Sequence, residues 1–194
     1  HLAPLGEERA APFPREENAY PFAYEQVAQL FDAPDAPDVC VIHSSAHNWE
    51  DQGGHRGEHG SLGVVQARAP FIVSGAGVQR RGIVPEACRL VDVAPTVAAL
   101  LGVAPVHGVG QNGAPRADAL LKRQDGDVQA QVLTGEPARH VVGFLFDGTN
   151  ANVLHDLVAA GEAPNVARLI EQGTSFGHGA MSSLPTVTLA NHTS

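Results

Sequence analysis

The sequence predicts an α/β protein built on a mostly parallel sheet with helices on both faces. Two observations carry this. Short continuous apolar runs at Val39–Ile42, Phe71–Val73 and Val141–Phe146 have the length and β-branched content of strands buried on both sides. Between and after them lie segments whose apolar residues recur at helical spacing, and alternation of the two element types favours layers around a parallel sheet.

Taken in order, residues 1–22 hold Pro4, Pro12, Pro14 and Pro21 and read as an extended arm. Tyr24, Val27, Leu30 and Phe31 predict a helix, ended by the Pro-rich run 32–37. Val39–Ile42 predicts a strand, followed by a His- and Gly-rich polar loop. Phe71–Val73 predicts a second strand, closed by the turn Ser74-Gly75-Ala76-Gly77. A helix capped by Asp92, with Pro95 in its first turn and Val93, Val97, Leu100 and Leu101 on one face, should end at Gly102. Residues 103–139 carry Gly, Pro and charge and read as a linker with a weak helical stretch around 117–122. Val141–Phe146 predicts a strand ending at Asp147-Gly148. Two helices should follow, one on Val153, Leu154, Leu157 and Val158 and one on Val166, Leu169 and Ile170 before Gly173. Residues 174–184 read as an irregular strand and loop, and a further helix can start after Pro185.

A chain of 194 residues that is 43% hydrophobic and 17% charged can bury a core of its own. Its 12 Lys+Arg against 21 Asp+Glu leave a net charge of -9, with no basic run, which argues against binding duplex nucleic acid or an anionic membrane. No apolar run reaches the roughly 20 residues that span a bilayer, and the first 20 residues lack the layout of a signal peptide, so the chain reads as soluble. Cys40 and Cys88 both lie in apolar stretches, where buried free thiols are expected. A start at His1 and a stop at Ser194 inside a patterned segment read as a piece of a longer protein.

Ligands of open parallel sheets bind beyond the carboxyl ends of the strands, which directs attention to two places. Asp147 directly follows the strand expected at 141–146; alone, it reads equally as a helix cap or turn residue. The loop from His43 to Gly60 follows the strand expected at 39–42 and packs four imidazoles and three carboxylates. Its oxygen and nitrogen donors suit an open zinc site, while a solvated polar loop is the other reading. Near the end, Leu184-Pro185-Thr186-Val187-Thr188 would place a hydroxyl at a helix start, where free backbone N–H groups favour an anion. That hydroxyl reads as an N-cap or as a nucleophile.

Together these stretches resemble the alkaline phosphatase superfamily, in particular its nucleotide pyrophosphatase/phosphodiesterase branch. The strand ending in Asp147-Gly148, a helix, and then Pro164-Asn165-Val166-Ala167-Arg168-Leu169-Ile170-Glu171-Gln172-Gly173-Thr174 look like the family's opening segment. Pro185-Thr186-Val187-Thr188-Leu189-Ala190-Asn191-His192 is similar to the branch's nucleophile motif. Gly57-Glu58-His59-Gly60-Ser61, with Ala69 to Gly75 and Leu90 to Thr96, looks like the closing segment.

The resemblance implies an alkaline-phosphatase-like sheet, incomplete in this chain, with metal ligands at Asp147, Thr188, His47 and His59 and with Thr188 as nucleophile. His47 is carried over from Ser45-Ala46-His47-Asn48, where the family has Ser-Asp-His-Gly; Ala46 thus replaces a ligand, and Glu50, Asp51 or His55 could stand in. Closing segment (23–104), linker (105–139) and opening segment (140–194) come in the reverse of the family's order, which implies either a circularly permuted catalytic domain, the favoured reading, or a chain cut across two tandem copies. The implied activity is zinc-dependent hydrolysis of phosphoric esters, with two zinc ions in the parent chain and a phosphodiester or nucleotide as substrate. The ligands expected to follow the nucleophile would lie beyond Ser194, so this piece alone should be inactive or nearly so. The alternatives are a catalytically silent relative that binds a ligand or partner, motivated by Ala46, and another enzyme of the superfamily such as a phosphonate hydrolase or mutase.

Overall fold

Two small three-stranded sheets interleave the two halves of the chain. The computed structural model describes residues 17–31, 34–44, 47, 60–110 and 113–184. Helix α1 (Ala23–Phe31) is followed by a short α2 (Val64–Ala67) and by strands β1 (Arg68–Ala69), β2 (Ile72–Ser74), β3 (Gly82–Val84) and β4 (Cys88–Arg89). A 3-10 turn, Leu90–Asp92, leads into α3 (Val93–Leu100); β5 (Gly108–Val109) and β6 (Pro115–Arg116) form a small ribbon. Then come a 3-10 turn at Ala130–Val132, α4 (Ala151–Ala159), α5 (Pro164–Glu171), β7 (Gly173–Phe176) and β8 (Ala180–Met181).

In one sheet β7 lies between β2 and β3, antiparallel to the first and parallel to the second. In the other β8 lies between β1 and β4 in the same manner. With the antiparallel β5–β6 ribbon, the pairings among the described residues are antiparallel in three cases and parallel in two. The α/β class holds in the coarse sense of mixed helix and strand. The expectation of a mostly parallel sheet does not hold for these residues, because a late segment returns between early strands instead of each strand being followed by a crossover helix.

The central strand β7 is buried at all four positions although three of them are Gly173, Thr174 and Ser175. Each polar group there has an outlet: Thr174 Oγ1 donates to the Gln79 carbonyl at 2.7 Å, and Ser175 meets His155. The core gathers Phe71, Val84, Cys88, Val132, Phe176 and Ala180, with the Phe71 and Phe176 rings stacked at 5.4 Å between centroids. A second cluster joins Phe22, Ala67 and Met181. Burial of these groups is the principal favourable term for so small a set of strands.

Several expectations are corrected. Val39–Ile42 and Val141–Phe146 form no strand, and Val142, Phe144, Leu145 and Phe146 are 73–78% exposed. An apolar run specifies a wish for burial, not a partner, and no described strand pairs with either. Residues 103–139 are more than a connector: Val132 is fully buried in the core, and the Gln79 and Thr134 backbone N–H groups donate to Val132 and Gly77 carbonyls, each at 2.9 Å. The stretch 117–122 is a turn, not a helix.

The helices stand where periodicity predicts them, and α3 and α5 bury Leu100 and Ile170 of the predicted faces, but α1 and α4 turn other residues inward. In α1 the buried residues are Ala23 and Gln26, with Tyr24 and Phe31 outside; in α4 they are Ala151 and His155, with Val153 and Leu157 outside. Asp92 precedes α3 as expected, and Gly102, at φ +71°, follows it, but the Asp92 side chain does not cap the helix. Cys88 is buried as expected; Cys40 is exposed, because the run that holds it is not enclosed.

Candidate functional site

Asp147 stands on an exposed turn with Gly148, whose φ of +70° is favourable only for glycine-like backbone. Three residues on, Asn150 caps α4: its side-chain oxygen accepts from the Val153 backbone N–H at 3.1 Å. The same amide donates through Nδ2 to the carbonyls of Val64 and Val65. One side chain therefore fastens the helix after Asp147 to α2, the helix that begins five residues after His59.

A second fastening reaches the same helix from the other motif. Ser182, six residues before Thr188, donates from its backbone N–H and its hydroxyl to the Ala67 carbonyl at 2.9 and 3.1 Å. Thus α2 and its end at Ala67 receive contacts from chain segments adjoining two of the expected site residues. Thr188, His59, Glu50, Asp51 and His55 themselves lie outside the described residues, and so does their expected convergence with Asp147.

His47 is exposed and organised by Ser44. The Ser44 hydroxyl lies 2.7 Å from His47 Nδ1, and the Ser44 carbonyl accepts from the His47 backbone N–H at 3.0 Å. That carbonyl also accepts from His43 Nδ1 at 2.9 Å. A carbonyl can only accept, so the neutral His43 ring carries its proton on Nδ1.

The donor chemistry of Asp147 and His47 fits zinc, which takes carboxylate oxygen and imidazole nitrogen, and a histidine ligand is commonly held through its second nitrogen by a polar neighbour. Among the described residues, however, no group of three or more His, Cys, Asp and Glu side chains converges on one point. The described part of the site supplies individual donors.

Two polar arrangements have no counterpart in the sequence reading. His155, on α4, and Ser175, on β7, meet in the interior with Nε2 and Oγ 2.9 Å apart. The spacing of Ala151 and His155 by four residues could have marked an inward face, but four apolar neighbours masked it. The other is a hub at Asp92, 3% exposed, whose carboxylate accepts from the Arg89 backbone N–H at 2.8 Å and from the Asp127 backbone N–H and Gln129 Nε2, each at 2.9 Å. The Arg89 guanidinium stands 3.6 Å from both Asp92 and Glu25. This hub closes the loop 125–129 against the start of α3; it is fully engaged in protein contacts and reads as structural. Beside it, burial first and then the Asp92 charge push the Cys88 thiol well above its ordinary pKa, against a smaller opposing effect of Arg89. A thiol held neutral in this way is a poor nucleophile and a poor metal ligand.

No helix among the described residues is long and apolar enough to cross a membrane. No protein-family model, curated protein or solved structure matches the chain.

Proposed function

We propose that this chain is part of a metal-dependent phosphoric ester hydrolase, similar to the phosphodiesterase and nucleotide pyrophosphatase branch of the alkaline phosphatase superfamily. The observation that carries the reading is the interleaving of the two motif-bearing segments: β7 and β8, from the segment holding Asp147 and Thr188, lie between strands of the segment holding His59. Such interlocking is what one catalytic domain with permuted segments requires, and it argues against two unrelated pieces joined by a linker.

In this reading the Thr188 hydroxyl attacks phosphorus in line. A bond forms between Thr188 Oγ and phosphorus, the bond from phosphorus to the leaving oxygen breaks, and water later cleaves the phosphothreonine to release the product and restore Thr188. Asp147, His47, His59 and Thr188 would hold zinc, with Glu50, Asp51 or His55 as further donors. Bound zinc supplies a lowered hydroxyl pKa and stabilisation of the charge that develops on the phosphoryl oxygens. The net charge of -9 leaves little general attraction for an anionic ester, so binding would have to rest on that local positive charge.

The test is turnover of a chromogenic phosphodiester by the zinc-loaded parent protein. Thr188→Ala is expected to abolish turnover with a stability loss of about 1 kcal/mol, the ordinary cost of losing one cap. Near-normal turnover in the folded variant removes Thr188 from the mechanism. A second reading, a silent relative that binds a ligand or partner, is favoured by Ala46 in the place of a family carboxylate. It predicts no turnover with zinc present in excess, in the unsubstituted parent protein as in the variant.

A further inference from the structure

We propose that the exposed run Val141–Phe146 is a self-association strand, pairing antiparallel with the same run of a second copy across a two-fold axis at Gly143. This pairing stands apart from any hydrolase activity. Val142, Phe144, Leu145 and Phe146 are 73–78% exposed, and among the described residues no backbone N–H or carbonyl of residues 141–146 takes part in a hydrogen bond. A stretch without charge or proline thus turns to water both apolar side chains and an unfilled row of donors and acceptors. Exposure of both together marks a strand that lacks its neighbour. The backbone is free to take up that part: none of these residues has a positive φ, and a Cβ placed on Gly143 would meet nothing within 4 Å.

The ends of the run say which neighbour fits. Exposed Arg139 precedes it and exposed Asp147 follows it. Parallel, in-register stacking of copies sets like charge on like charge at both ends, which is repulsive. Antiparallel pairing with Gly143 on the axis sets Arg139 opposite the partner's Asp147, and Asp147 opposite the partner's Arg139. The same register sets Val142 against the partner's Phe144 and Val141 against the partner's Leu145; a β-branched residue facing an aromatic one is a favourable cross-strand pair. Gly143 has no side chain to hold the two main chains apart where they meet. One sequence therefore supplies both halves of a complementary pair, as an isologous contact requires.

Val39–Ile42, the chain's other exposed apolar run, is two residues shorter and can complete only part of such a ladder. A pair of strands this short lies well below the area of a permanent interface, and a net charge of -9 on each copy opposes association. The expected state is a monomer–dimer equilibrium that follows concentration.

Sedimentation equilibrium without added metal compares the unsubstituted protein, Arg139→Glu, and Arg139→Glu combined with Asp147→Arg. The dimer should be weakened about tenfold by Arg139→Glu, which turns two opposite-charge pairs into like-charge pairs, and restored in the double variant. Single cysteines in a Cys40→Ser background then report the register under mild oxidation, since Cys40 is the exposed thiol and Cys88 is buried. Gly143→Cys should give a disulfide-linked dimer, because the axis brings its two Cα atoms to about 4.5–5.5 Å. Val141→Cys should not, because the same register sets its two copies four residues apart, about 13 Å.

A protein that stays monomeric at every concentration overturns the proposal, and amides of 141–146 protected from hydrogen exchange in that monomer would assign the run to a neighbour in its own chain, such as Val39–Ile42. Assemblies that grow beyond the dimer, with Val141→Cys and Gly143→Cys linked equally, mean parallel stacking and overturn it as well. So does a dimer that is indifferent to the charge variants and is linked by neither cysteine.

Discussion

His155 Nε2 and Ser175 Oγ meet at 2.9 Å inside the protein, one on the helix that follows Asp147 and the other on the central strand β7. The bond pins α4 to the sheet at a point where His155 is 5% exposed and Ser175 is fully buried. Ser175→Ala withdraws the hydroxyl from a buried ring nitrogen and is expected to cost about 1–3 kcal/mol, the penalty for a polar group deprived of a partner. Urea unfolding checks this, and a double-mutant cycle with His155→Ala should show coupling; additive losses would mean that the pair does not act together.

Gly173 admits the close approach of β2 to β7: a Cβ there would collide with the Val73 carbonyl and with the Ser74 backbone. These are backbone atoms of a paired strand and cannot swing aside. Gly173→Ala is therefore expected to destabilise by several times the ordinary propensity difference, about 3 kcal/mol or more, the scale of severe overpacking. A melting temperature close to that of the unsubstituted chain would contradict the β2–β7 pairing.

The two cysteines should behave oppositely towards a thiol reagent such as dithionitrobenzoate. Cys40 is exposed and should react at once; Cys88 is buried, with its pKa raised, and should react only as the protein unfolds. The sign of the pH effect follows. A raised pKa means that the folded protein keeps the Cys88 proton while the unfolded thiol ionises. The stability tied to Cys88 is thus intact below the ordinary thiol pKa of about 8.5 and declines as pH rises above it towards the folded value. Cys88→Ala should flatten that alkaline decline, and an unchanged slope would locate its cause elsewhere.

Phe144 is 78% exposed within an apolar run. Phe144→Lys should change stability by no more than about 0.5 kcal/mol and should reduce self-association, measured by light scattering. A loss of several kcal/mol would instead show that this run is enclosed in solution, as its strand-like pattern predicts.

Helices α1, α3, α4 and α5 were legible from the sequence, since apolar periodicity, Asp92 before α3, Pro95 in its first turn and Gly102 as a stop act within a few residues. Asp147 and His47 were legible as candidates because carboxylate and imidazole declare their chemistry wherever they stand. Their supporting contacts were not: Ser44 and Asn150 differ from other serines and asparagines only in what they touch. The centrality of β7 was likewise decided by tertiary structure. Gly173-Thr174-Ser175 has no apolar signal, and it is buried only because Gln79 and His155 offer partners and Gly173 offers room. The same holds for the order β1-β8-β4, in which Ala180 pairs with both Ala69 and Cys88. Local sequence sets which backbone conformations are cheap over one or two turns; which strands meet, and which face of a helix turns inward, depends on groups some 90 to 110 positions away that only the folded chain brings into reach.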